Sequence, residues 1–348
     1  MRGNSFVRLT PPAPTVVFDT YWRFATERQA TYYRRFAKPQ GPWTNDPIIG
    51  RYKFTNAYRA SDRVSQYLIR NVIYSGAFSA RDTVFRVLLF KLFNKIETWE
   101  LLESRLGTLT SETFDARAFD QVLGEAVVAG TRIYSAAYIM PSAPKVDATS
   151  FKHRTHLHLL ATVLRDGAPE RLMAAKNLGE VYGIFLALPS FGPFLAYQYA
   201  VDITYSDHFD FSENDFVQPG PGALNGLAKC FSSLGDYSPS DAIAWVTDHQ
   251  VEDLAARELK FQTLWGRPLH RIDCQNLFCE TDKYARVAHP EFTAAGGRTK
   301  IKQNFTALGT MPTPFFPPKW NLQCFMPAPE AQALVRMPVQ AQTELEFS

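Results

Sequence analysis

Apolar and polar positions alternate along most of this chain with a period near that of an amphipathic helix. Phe18 to Phe36 (FDTYWRFATERQATYYRRF) interleaves aromatic and basic residues at helical spacing, and KPQGPWTNDP after it reads as a loop. Arg51 to Tyr74 opens a second helical region with Ser61 as its N-cap. Asp82 to Thr98 places Val84, Leu88, Leu92 and Ile96 on one stripe, as a core helix does. Ala116 to Ala129 and Thr131 to Tyr138 follow the same pattern, and Pro141-Ser142-Ala143-Pro144 interrupts it. Beyond that break Thr155–Arg165, Pro169–Leu186, Pro193–Tyr205 and Ser238–Trp265 read as helices. β-branched alternation is scarce, no repeat is evident, and the last 45 residues, which contain MPTPFFPPKW, are expected to wrap the surface or stay partly mobile. The expected fold is mainly α: packed helical subdomains over residues 1–145 and 146–305, then a Pro-rich extension over 306–348.

The stretch from Leu186 to Ala223 reads as helix, tight hairpin, helix and acidic turn. Leu188 to Gly192 forms the hairpin, and Pro193 suits the first position of the next helix, where its missing N–H goes unused anyway. A hairpin opening a helix presents free backbone N–H groups, so Ser190 and Gly192 can seat a DNA phosphate; a purely structural hairpin is the equal alternative. Asp207, Asp210, Glu213 and Asp215 follow, then Gly220 and Gly222, which would let backbone approach a ligand closely. Asp215 and Glu213 are the catalytic candidates, and a carboxylate capping a turn is the alternative for Asp215.

Composition narrows the class. The 348 residues are 46% hydrophobic, enough for a full core in one large or two closely packed domains. Every apolar run is broken by charge before it could cross a bilayer, and Met1 to Pro14 lacks the apolar core of a secretory signal, so a cytoplasmic location is expected. Four cysteines in so long a chain suggest reduced thiols. The net charge is only +3 but unevenly spread. Residues 1–70 hold twelve Lys and Arg against four Asp and Glu, residues 71–282 hold 18 against 26, and residues 283–348 hold seven against four. Basic ends around an acidic middle suit one anion-binding face made by both ends.

Two further stretches carry candidate chemistry. Arg271 to Ala288 (RIDCQNLFCETDKYARVA) offers Gln275, Asn276 and Glu280 for a base edge, with Lys283 and Arg286 for phosphate. Lys300 and Lys302 extend that basic set. PWTNDPIIGRYKFTNAYRASDRV offers Trp43, Asn56 and Tyr58 as a polar and stacking pocket wall, with Arg59 and Arg63 for the DNA backbone; an ion-pair network is the plain alternative for the charged members. Cys274 and Cys279 form C-x4-C without partners at zinc spacing, and in the cluster His153, His156 and His158 the last two point to different sides of a helix, so helix-surface or phosphate-contacting histidines are the reading and no metal and no cofactor is expected. No G-x-x-x-x-G-K-[ST] occurs.

Together YWRFATERQATYYRRF, PWTNDPII, YKFTNAYRASDRVSQYLIR, IYSAAYIMPS, FSENDFVQPGPGA and IDCQNLFCETDKYARV resemble the α-glutamyl/putrescinyl thymine pyrophosphorylase-like group of DNA base hypermodification proteins, also described as the helical domain of hydroxymethyluridine DNA kinase, over roughly residues 18 to 305. That group is similar in fold to helix–hairpin–helix DNA glycosylases. In those enzymes a carboxylate lies about twenty residues past the hairpin glycine, and Asp215 stands near that spacing from Gly192. Phe194 stands where lyase-competent relatives carry Lys, which implies a monofunctional enzyme, and Ser190 departs from the usual first hairpin Gly. The function expected on these grounds is a monomeric DNA glycosylase in anti-phage defence. It would flip a bulky hypermodified pyrimidine, such as glucosylated hydroxymethylcytosine, out of double-stranded phage DNA and excise it to leave an abasic site. The resemblance equally implies a transferase that places an amino acid or amine on 5-pyrophosphorylmethyluracil with loss of pyrophosphate. A non-catalytic DNA-binding module is the third reading.

Overall fold

Thr15 begins the first helix, its hydroxyl accepting the N–H of Val17, and the aromatic stripe that follows goes straight into a core: Phe18, Tyr21, Trp22 and Phe24 are all buried. The structure is a computed structural model and describes residues 9–38, 40–136, 151–293, 297–307, 309 and 311–324. Its helices run Val16–Ala37 (α1), Pro47–Arg51 (α2), Arg63–Tyr67 (α3), Ala80–Phe93 (α4) and Ile96–Leu106 (α5). Ala116–Val128 (α6), Lys152–Arg165 (α7), Ala168–Ala174 (α8), Leu178–Leu186 (α9) and Pro193–Ile203 (α10) follow. Pro221–Cys230 (α11), Pro239–Asp248 (α12), Gln250–Ala256 (α13) and Arg271–Ala288 (α14) complete the set. Strand is confined, among the described residues, to Ala13–Pro14 (β1), paired antiparallel with Phe231–Ser233 (β2). The expectation of a mainly helical chain holds. No helix among the described residues is long and apolar enough to cross a membrane.

The chain folds as two compact units, divided elsewhere than expected. The described residues within Met1–Arg59, Pro219–Thr313 and Gln323–Ser348 form one; those within Ala60–Gln218 and Pro314–Leu322 form the other. Most of the second unit is thus inserted in sequence between α2 and α11, with a short segment, Pro314–Leu322, added from after α14, and the Pro-Ser-Ala-Pro break expected to divide subdomains lies outside the described residues.

In the first unit α14 is the central helix, buried along most of its length. It packs on α1 through Tyr21 and Phe278, whose ring centroids are 4.5 Å apart. α11 lies against α14 at two glycines. A Cβ on Gly226 would come within 2.6 Å of the Phe278 carbonyl carbon, and one on Gly222 would strike the Cys279 thiol. Gly222 of the PGPGA run therefore serves helix-to-helix approach rather than contact with a ligand, which corrects the reading from sequence at that position, and Gly220 stands at the N-cap of α11.

In the second unit α4 is buried over most of its length. Arg86, fully buried, donates to the carbonyls of Asn71, Val72 and Leu109 and to the Ser75 hydroxyl. It so supplies partners for carbonyls at and beside the π-helical turn Leu68–Ile73 and lies over the rings of Phe78 and Trp99. Lys91 pairs with Asp202 of α10 at 3.0 Å, both buried. α9 and α10 form the helical hairpin expected from Leu188 to Pro193, with Gly192 as the N-cap of α10. Ser190 takes φ +69°, the left-handed conformation usually given to glycine.

Several helix boundaries differ from the sequence reading because local backbone breaks do not disturb the apolar stripe. Asp82–Thr98 is two helices, interrupted at Asn94 with φ +48°. Pro169–Leu186 is broken before Asn177, whose side chain caps α9 at the N–H of Glu180. Ser238–Trp265 stays helical only to Ala256, with Glu258 left-handed at φ +54°. Residues 131–136 are not helical, residues 137 and 138 of that expectation lie outside the described set, and Asp62 rather than Ser61 caps α3.

Candidate functional site

A cavity of about 230 Å³ lies in the first unit. One wall comes from α1, where Arg28, Thr31 and Arg35 follow one another at helical spacing on a single stripe. The loop after α1 brings Trp43 and Thr44, and α2 brings Ile49 and Gly50. α2 is positioned by Asp46: one carboxylate oxygen accepts the N–H groups of Ile48 and Ile49, and the other accepts the Tyr284 hydroxyl at 2.7 Å. Tyr52 and Phe54 continue the lining, and Phe305 arrives on a segment paired to the chain after α2. Tyr52 bridges Asn304, Lys53 N–H donates to the Gln303 carbonyl, and Phe305 N–H donates to the Arg51 carbonyl.

The polar groups around the cavity are ordered in a chain of contacts. Glu27, 1% exposed, accepts from Arg34 at 2.8 Å and from the Thr44 hydroxyl at 2.6 Å through the same oxygen. Its other oxygen is buried with no partner among the described residues. Arg28 donates to the Thr55 carbonyl at 2.9 Å and to Asn56 Oδ1 at 2.6 Å. Arg35 sits beside two rings that are nearly perpendicular, 5.3 Å from Trp43 and 5.6 Å from Phe305. Burial lowers its guanidinium pKa, and no acid among the described residues pairs with it. The Trp43 indole N–H donates to the Lys38 carbonyl, which fixes the ring at the cavity edge. The volume is below the 300–1,000 Å³ usual for drug-sized ligands, so the cavity suits a single heteroaromatic ring with a small substituent.

The residues expected from sequence scatter. Trp43 lines the cavity, and Asn56 lies one contact behind it through Arg28. Tyr58 is 1% exposed and donates to the Arg267 carbonyl, so its ring belongs to the core and is not open for stacking. Gln275 and Asn276 are buried on α14 and present no edge to solvent. Glu280 accepts the Thr55 N–H and the Lys283 ammonium, the latter at 2.6 Å, so it ties α14 to the chain before Asn56. Arg286 pairs with Asp282 at 2.6 Å, and the backbone N–H of buried Arg59 donates to Asp273. Each of these residues is engaged within the fold and none of them lines the cavity. Lys300 and Lys302 are exposed on the segment leading into Phe305, with Arg51 and Lys53 exposed on the chain it pairs with.

Asp215, Glu213, Ser190, Gly192 and Arg63 belong to the second unit. Asp215 is exposed and its carboxylate accepts the Ser212 N–H, closing a local turn, while Glu213 is buried. Arg63 makes an exposed ion pair with Glu97 at 3.5 Å. His153 and His156 are buried beside Asp120 and Tyr134, and among the described residues no three His, Cys, Asp or Glu side chains are grouped to hold a metal. The sequence reading missed Arg28, Thr31, Arg35 and Thr44. The available signal was the run Glu27-Arg28-Gln29 inside an otherwise aromatic helix, all three of which are buried.

A family model described as "5-hmdU DNA kinase, helical domain" matches residues 15–294. The chain belongs to this family. It is also similar to a curated protein of Bacillus phage SP10 named 5-hmdU DNA kinase, with 28% identity over 324 residues, covering 86% of this chain and 50% of the relative. The chain therefore spans about half the length of that relative. No solved structure matches the chain, and a helix–hairpin–helix glycosylase fold is not shown. These matches overturn the expected glycosylase: both point to modification of a base in DNA, and neither supports excision or anti-phage defence.

Proposed function

We propose that this chain is a transferase of DNA hypermodification that joins an amine or amino acid to the 5-methylene carbon of a uracil in DNA as pyrophosphate departs. The observation that carries this reading is the cavity of the first unit, which combines aromatic walls with guanidinium groups. The amine nitrogen forms the new C–N bond while the C–O bond to pyrophosphate breaks, the leaving group takes the electron pair, and the amine proton passes to base or water. Such chemistry needs the base out of the stack, a face to lie on, and positive charge where the leaving group gathers negative charge. Trp43 and Phe54 provide ring faces, and stacking of this kind is worth about 1–3 kcal/mol per base. Arg28 and Arg35 provide the charge, and Lys300 and Lys302 with Arg51 and Lys53 provide cations for the strand's phosphates.

The test is incubation with a duplex carrying 5-pyrophosphorylmethyl-deoxyuridine and a panel of amines and amino acids, followed by digestion, mass spectrometry of the nucleosides and assay of released pyrophosphate. A new amino-linked nucleoside with matching pyrophosphate is the expected result. DNA binding without adduct or pyrophosphate for every amine would reduce the chain to a DNA-holding module.

A further inference from the structure

Of the two guanidiniums that line the cavity, Arg28 is hydrogen-bonded within the fold and Arg35 has no hydrogen-bond or ion-pair partner among the described residues. It lines the cavity, it is half-buried, and its Nε has no hydrogen-bond partner among the described residues. Its neighbours orient it without neutralising it. Trp43 and Phe305 meet at 88° and hold the planar group in the corner between them. Contacts of this kind restrict a guanidinium's rotation while leaving its N–H edge free. Arg34, one residue earlier, is spent on Glu27 and on the Trp43 carbonyl. Arg28 bonds the Thr55 carbonyl and Asn56. Of the carboxylates joined to the cavity wall, Glu27 is engaged by Arg34 and Thr44, and Asp46 by the N–H groups of Ile48 and Ile49 and the Tyr284 hydroxyl. An oriented cation without an acidic partner, in a cavity of nucleobase size, is a receptor for an anionic group on a ring.

We infer that Arg35 determines specificity by binding the phosphoryl group on the 5-substituent of the base, so that the cavity takes phosphorylated over neutral 5-hydroxymethyl-deoxyuridine. The inference rests on the cavity being the base site proposed above. Arg35 is a binding residue whose fork geometry suits a phosphate bidentately; Lys in its place retains charge without the fork.

The experiment compares wild type, Arg35→Gln and Arg35→Lys on two otherwise identical short duplexes, one with a single 5-phosphomethyl-deoxyuridine and one with 5-hydroxymethyl-deoxyuridine. Loss of one charge-assisted pair predicts that Arg35→Gln weakens binding of the phosphorylated duplex about ten- to a hundredfold and leaves the other nearly unchanged. Arg35→Lys should fall between. Equal weakening on both duplexes, or a wild-type preference that survives in Arg35→Gln, overturns the inference. Inorganic pyrophosphate titrated calorimetrically into the folded protein separates this inference from the broader reading. Binding of pyrophosphate that disappears in Arg35→Gln upholds the anion seat even where neither duplex binds. Pyrophosphate affinity unchanged by the substitution refutes it whatever the duplexes do.

Discussion

Replacing Gly226 by alanine should separate the two helices that build the core of the first unit. The added methyl would lie 2.6 Å from the Phe278 carbonyl carbon and 3.1 Å from its Cα. The Phe278 carbonyl oxygen is closer still and carbon atoms pack best at about 3.5–4.0 Å, so α11 must withdraw from α14 by at least about 1 Å, and the obstacle is backbone, which cannot rotate aside. A gap of that size forfeits about a quarter to a half of each dispersion contact along the interface. Overpacking of this kind costs about 1–3 kcal/mol, and the upper end applies where the blocking atoms cannot yield. Alanine's helix preference returns about 1 kcal/mol, leaving a net loss of about 2 kcal/mol. Urea unfolding followed by far-UV circular dichroism measures it, with the slope held constant to show that only stability changed. Gly183→Ala in α9 is the matched control, because an added Cβ there meets nothing within 4 Å, and it should stabilise by up to about 1 kcal/mol. Gly222→Ala is intermediate: its methyl strikes the Cys279 thiol, the end of a side chain, and Cys279→Ala in the same molecule should recover most of the loss. A Gly226→Ala protein as stable as wild type to within about 0.5 kcal/mol would refute the close-approach role of these glycines.

Burial, reinforced by Arg267, lowers the His270 imidazole to about 3. The unfolded chain therefore binds the extra proton first, and stability falls as pH drops from about 6.5 toward 3, by on the order of 1 kcal/mol per pH unit. Urea midpoints between pH 7 and 5 should show that slope, and His270→Asn, which keeps a capping group at the start of α14, should flatten it. Arg86→Met leaves the carbonyls of Asn71, Val72 and Leu109 without their donor and should cost about 3–5 kcal/mol, read as a lowered melting temperature or loss of soluble protein. Asp215→Asn should change stability by less than about 1 kcal/mol and leave DNA affinity unaltered, since the exposed carboxylate only closes a turn that Asn also closes. Burial pushes the Cys274 and Cys279 thiols up to about 12, so neither should react with a thiol reagent at pH 8 until urea unfolds the protein.

The residues by themselves determined what local chemistry controls. An aromatic stripe at helical spacing made α1, and Leu188 to Pro193 made the hairpin between α9 and α10. The family motifs were legible for the same reason, as runs of neighbouring residues. Tertiary structure alone decided which polar residues face a cavity and which tie the core. Gln275, Asn276 and Glu280 look like base readers in sequence, yet α14 is wrapped by α1 and α11 and turns them inward. Arg35 looks like one more surface cation at the end of a helix. It becomes a cavity residue because the loop carrying Trp43 and the segment carrying Phe305, some 270 residues further along, fold onto α1. Periodicity reports which face of a helix is buried, but only chain closure over long sequence separations supplies what it is buried against.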